Sequence, residues 1–125
     1  MTVYIAGPIT GIRNYKENFE KRERELEAMG YRVFNPAKLG ERLEKEHPYR
    51  NIGHHEYMNY LLPYVLKADG ISLLKGWEYS EGARVEKLVA ESTGKTLVKV
   101  KLLDRSWNSK IYLIIQKFLW IKKSD

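Results

Sequence analysis

Glu86 is the residue of this chain best suited to covalent or acid–base chemistry. The stretch Ser80–Gly94 reads as a helix, with Ser80 able to cap its start and Gly94 able to end it. At about 100° per residue, Gly82, Ala83, Val89, Ala90 and Thr93 fall within roughly 60° of Glu86, while Arg84 and Glu91 point away. A lone carboxylate among small, apolar neighbours is either held by a buried hydrogen bond or aimed at a cavity that uses it. The small side chains leave room for a ligand against this helix.

Other residues carry weaker signals. Gly7, Pro8, Ile9, Thr10 and Arg13 form a glycine-rich segment whose backbone amides suit a phosphate or a ribose, although it matches neither the P-loop nor the dinucleotide motif. Asp69 stands just before a strand, where it serves either as an acid or as a turn residue of the Asp-Gly pair. Trp77 and Tyr79 precede the Glu86 helix, placed to stack on a base or to pack. His47, His54 and His55 lack a surrounding Asp/His framework, so neither a metal nor another cofactor is expected.

The elements that position these residues alternate. Val3–Ala6 reads as a strand. Tyr15–Met29 reads as a helix, with Tyr15, Phe19, Leu26 and Met29 as its apolar stripe and Gly30 as its stop. Tyr31–Phe34 forms a second strand, ended by Asn35-Pro36, and residues 38–46 a short charged helix. After a loop at 47–53, His54–Lys67 is helical but kinked or broken near Pro63. Ile71–Leu74 and Thr96–Val100 complete the strands. This order predicts an α/β fold, a parallel sheet with helices on its faces. Ligands of such sheets sit beyond the carboxyl ends of the strands, near the point where strand order reverses. There the chain offers Gly7–Arg13, Asn35-Pro36 and Lys75–Ser80.

A chain of 125 residues makes one domain, and 43% hydrophobic with 30% charged residues is ordinary for a soluble protein. With no cysteine, disulfide and thiolate chemistry are excluded, which fits a cytoplasmic location. No leader and no membrane span is expected. Residues 1–94 carry 14 Lys and Arg against 14 Asp and Glu, so residues 95–125 supply the whole net charge of +6. Such a tail can attract nucleotides or nucleic acid, or simply be a solvated basic face. No nucleic-acid motif accompanies it, so a nucleic-acid partner is not expected.

Three blocks in order, Tyr4-Ile-Ala-Gly-Pro-Ile-Thr10, Ala68-Asp-Gly-Ile-Ser-Leu-Leu74 and Ser80-Glu-Gly82-Ala-Arg-Val-Glu86, resemble the nucleoside 2-deoxyribosyltransferase-like superfamily. The similarity covers about residues 1–100 and is greatest to its branch of small phage and bacterial proteins, which are related to deoxynucleoside 5'-monophosphate N-glycosidases. It implies a flavodoxin-like fold. It also implies that Glu86 attacks the anomeric carbon, that Asp69 helps protonate the departing base, and that Tyr4 positions the glutamate. Ser80 matches the position that contacts the 5' end of the sugar, an aspartate in nucleoside-using transferases and a serine in the monophosphate glycosidases. Serine is a neutral donor suited to phosphate oxygens, so a 5'-monophosphate is favoured. In the resembled enzymes a residue from a neighbouring subunit completes each site. The positions at that distance are Asn108, Ser109 and Lys110, followed by an apolar segment, so a helix over Trp107–Ile121 and at least a homodimer are expected.

The chemistry stands on its own terms. Breaking an N-glycosidic bond builds oxocarbenium charge on the sugar, which a carboxylate below the ring stabilises or captures. Water on the intermediate gives hydrolysis, and a second base gives transfer. A non-catalytic nucleotide sensor of the same fold is the alternative, and an interaction role for the basic tail is a third.

Overall fold

A computed structural model describes residues 1–100. The expected helix over Trp107–Ile121, and with it Asn108, Ser109 and Lys110, lies outside the described residues.

Strand β1 (Thr2–Ala6) runs through the middle of the sheet, and four of its five residues are buried, as a strand covered on both faces requires. Helix α1 (Tyr15–Ala28) is largely charged and buries Phe19 and Leu26, two turns apart on one stripe. It ends at Gly30, whose φ of 92° lets the Tyr31 amide turn back to the Leu26 carbonyl. After β2 (Arg32–Phe34), the Asn35 side chain accepts from the Ala37 amide at 2.9 Å and Pro36 opens α2 (Pro36–Glu46). Helix α3 (His54–Lys67) runs through Pro63 as one helix, so the expected break does not occur. Both Pro63 and Asn59, whose carbonyl loses its partner, are exposed, and water can satisfy that carbonyl while Leu61 and Val65 anchor the opposite face. Strand β3 (Gly70–Leu73), a 3-10 turn (Trp77–Tyr79), α4 (Glu81–Ser92) and the short β4 (Thr96–Leu97) follow.

All strand pairings are parallel, in the order β2-β1-β3-β4. Helix α1 covers one face through Phe19 and Leu26 against Val3 and Ile5. Helices α3 and α4 cover the other, where Leu61, Val65, Ala83 and Ala90 meet Tyr4, Ala6 and Ile71. From β1 the chain goes outward to β2 on one side, and from β3 outward to β4 on the other. Strand order therefore reverses between β1 and β3, as in the flavodoxin-like fold. Among the described residues no helix is long and apolar enough to cross a membrane.

Candidate active site

The carboxyl ends of β1 and β3 are drawn together at Gly7, where a Cβ would sit 2.6 Å from the Leu74 Cβ. Only glycine fits that approach. The Gly7–Thr10 segment that follows forms one wall of a cavity of about 600 Å³, at the strand-order reversal. Helix α4 contributes its first turn, Glu81–Ala83, with the Ser80 hydroxyl capping it by accepting from the Ala83 amide at 3.2 Å. Glu86 lies one turn further in. Tyr15 of α1, Gly40 and Glu44 of α2, and His54, Tyr57 and Met58 of α3 complete the walls.

Glu86 is 5% exposed, and its carboxylate accepts the hydroxyl proton of the fully buried Tyr4. Burial pushes Glu86 up to about 8, opposed by the Tyr4 hydrogen bond. Burial, then the adjacent Glu86 charge, drives the Tyr4 phenol well above its ordinary value, so Tyr4 remains a donor at any working pH. The small neighbours read from the sequence are in place, with Ala83 and Ala90 buried beside Glu86. A Cβ at Gly82 would touch Met58 Sδ at 3.4 Å, so this glycine marks where α4 passes α3 beside the cavity.

Of the residues singled out in the sequence, Gly7, Pro8, Ile9, Thr10, Ser80, Gly82 and Glu86 all line this cavity, with Tyr4 beneath it. Arg13 is exposed and does not line it. Trp77 lies under the Lys87 ammonium, 4.9 Å from its ring centroid, outside the cavity, whereas Tyr79 is on its rim.

Asp69 must be corrected. It stands at the amino end of β3, exposed, where its carboxylate accepts from the Thr2 amide at 2.8 Å. The Asp69 amide in turn donates to the Thr2 carbonyl. At about 3.3 Å per residue, Thr2 lies roughly 16 Å along β1 from Gly7, so Asp69 and the cavity occupy opposite ends of the sheet. It cannot reach a base held over Glu86. A strand that begins at Gly70 leaves its preceding aspartate on the wrong side by polarity alone.

Sequence reasoning missed Tyr15, Gly40, Glu44, Tyr57 and Met58 as cavity residues and weighed His54 only as a ligand. One signal was available: Gly40 interrupts an otherwise good helix sequence. Among the described residues no group of three His, Cys, Asp or Glu side chains is disposed to hold a metal ion.

The model of the family described as "Domain of unknown function (DUF4406)" matches residues 1–99. No curated protein matches the chain, and no solved structure matches it.

Proposed function

We propose that this chain, which belongs to the DUF4406 family, cleaves the N-glycosidic bond of a 2'-deoxynucleotide with Glu86 as nucleophile. The observation that carries this is the buried carboxylate of Glu86, fixed by the Tyr4 hydroxyl, on the floor of a cavity at the strand-order reversal. The resemblance of the three sequence blocks to nucleoside 2-deoxyribosyltransferase-like proteins supports the same reading.

In this mechanism the sugar lies with its anomeric carbon over Glu86. The bond to the base breaks as a Glu86 oxygen closes on that carbon, and the electron pair leaves with the base. A desolvated carboxylate gains most when positive charge develops opposite it, so the interaction is stronger in the transition state than with the neutral sugar. Tyr4 holds the reacting oxygen in line and keeps the carboxylate in reach of its charged form. The base takes up a proton as it departs. With Asp69 at the far end of the sheet, His54 and Glu81 are groups on the cavity walls able to deliver that proton. Water then opens the glycosyl ester, or a second base accepts the sugar.

Ser80 and the Gly7–Thr10 segment flank the cavity together with the amino end of α4, a setting that favours a 5'-phosphate. The test is a panel of deoxynucleosides and their 5'-monophosphates incubated with the protein, with free base measured by chromatography. Release from monophosphates by wild type, absent in Glu86→Gln, is the expected result. No release from any member counts against the reading, and binding without release would point to the sensor.

A further inference from the structure

Gly40 and Glu44 stand one turn apart on the same face of α2, and both line the cavity. Glycine in a helix interior is less favourable than alanine. Nothing local asks for it here. Gly40 lies inside α2 and is not among the glycines with positive φ. A Cβ added there would meet only Tyr57, at 3.5 Å from Cε1 and 3.9 Å from Cδ1, which is ordinary van der Waals contact. Tyr57 therefore packs close to the backbone of the buried Gly40, on the same cavity wall as Glu44. The Tyr57 hydroxyl donates to Glu44 Oε1 at 2.5 Å, fixing the carboxylate's orientation and committing the phenol proton. Glu44 Oε2 accepts no hydrogen bond among the described residues.

From this geometry we infer that Tyr57 and Glu44 form the subsite for the nucleobase and select bases bearing an exocyclic amino group. The inference rests on the nucleotide reading of the cavity. With the sugar at Glu86 and the phosphate toward Gly7–Thr10 and Ser80, the wall left for the base is the one that α2 and α3 supply. The ring lies beside Tyr57, and its amino group donates to Glu44 Oε2, the oxygen that Tyr57 leaves free. A keto oxygen in the same place faces the carboxylate, and the two acceptors repel, so selection comes from repulsion as well as attraction.

Matched pairs that differ in this group and in the protonation of the adjoining ring nitrogen make the test. Binding to the full chain carrying Glu86→Gln, which stops turnover, is measured by calorimetry. The ligands are 2'-deoxyadenosine 5'-monophosphate against the 2'-deoxyinosine compound, and 2'-deoxycytidine 5'-monophosphate against the 2'-deoxyuridine compound. 2-Deoxyribose 5-phosphate is the control without a base. The amino-bearing member of each pair should bind at least about tenfold tighter. Adding Glu44→Gln should reduce the ratio to near one or invert it, because the amide can donate to a keto oxygen. 2-Deoxyribose 5-phosphate should bind equally with and without Glu44→Gln. Equal affinities within both pairs, a ratio untouched by Glu44→Gln, or binding of none of the four overturns the subsite. Wild-type base release, followed separately, distinguishes the two claims. If the ratio holds while no base is freed, the glycosidase reading fails and base selection stands.

Discussion

The hydroxyl of Tyr4, in the middle of β1, donates to the carboxylate of Glu86, 82 positions later in α4. Both groups are buried, Tyr4 completely and Glu86 but for the side that meets the cavity. Two opposed influences meet there. Removal from water favours the neutral acid and is the larger, while the phenol proton favours the carboxylate. The result is a carboxyl group balanced near neutral pH, at the floor of a cavity rather than inside packed core. Perturbed groups with a named partner and open space in front of them are typical of sites that react.

Replacing Glu86 with glutamine separates chemistry from stability. Base release should fall by at least about a thousandfold, since a nucleophile acts in the transition state itself. Stability should move the other way. Glu86 titrates near 8 when folded against its ordinary 4.5, so between these values the folded chain binds more protons than the unfolded one. Wild type therefore loses stability as pH rises through that window, and glutamine, which does not titrate, is spared. The melting-temperature advantage of Glu86→Gln should grow from about pH 5 to pH 8 and then level off. A variant that melts earlier than wild type across the window would make Glu86 structural.

Tyr4→Phe takes away the one hydrogen bond that favours the charged form of Glu86. The acid limb of the kcat/KM profile, at about 8 in wild type, should move to higher pH. Activity at pH 7 should drop by about tenfold or more, as one lost unit of ionisation already implies. An unmoved limb would mean that Glu86 is not the group whose ionisation limits the reaction.

How far the sequence shows this site depends on what kind of signal each residue leaves. Glu86 was legible because helical periodicity places a charge among small residues, and Ser80 because capping chemistry is local. Strand order was not stated by the pattern, yet alternation alone led to a parallel sheet, and so to the carboxyl ends of its strands. Glu44 and Tyr57 were illegible. Each sits in an ordinary amphipathic helix, and only the packing of α2 beside α3 brings them to one wall. Asp69 misled because resemblance gave it a role that strand polarity denies. The offset between an element's first residue and its last is small in sequence and most of a sheet's width in space.

Asp69→Asn should therefore leave kcat and KM within about twofold of wild type, since its side chain hydrogen-bonds to the Thr2 amide at the far end of the sheet, away from the cavity. Its amide oxygen can still accept that hydrogen bond, so the melting temperature should barely change. A loss of base release of a hundredfold or more in a folded variant would restore Asp69 as the acid and require the substrate to reach it.

Ser80 has two duties that its substitutions can pull apart. As the cap of α4 it accepts from the Ala83 amide, and beside the cavity it stands where a 5'-phosphate would approach. Aspartate is as good a cap as serine and adds a charge that the helix amino end favours, so Ser80→Asp should keep or slightly raise stability. Alanine cannot cap, and Ser80→Ala should cost about 1 kcal/mol. Substrate preference should respond differently. Ser80→Asp sets a negative charge against the phosphate and should shift the ratio of kcat/KM for monophosphate over nucleoside by at least about tenfold toward the nucleoside. Ser80→Ala should lower the ratio far less, because it removes one neutral donor without adding repulsion. The measurement is kcat/KM for one deoxynucleoside and its 5'-monophosphate with all three proteins, alongside their melting temperatures. A preference that follows stability rather than charge, falling with alanine and holding with aspartate, would leave Ser80 as a helix cap and place the 5' end of the substrate elsewhere in the cavity.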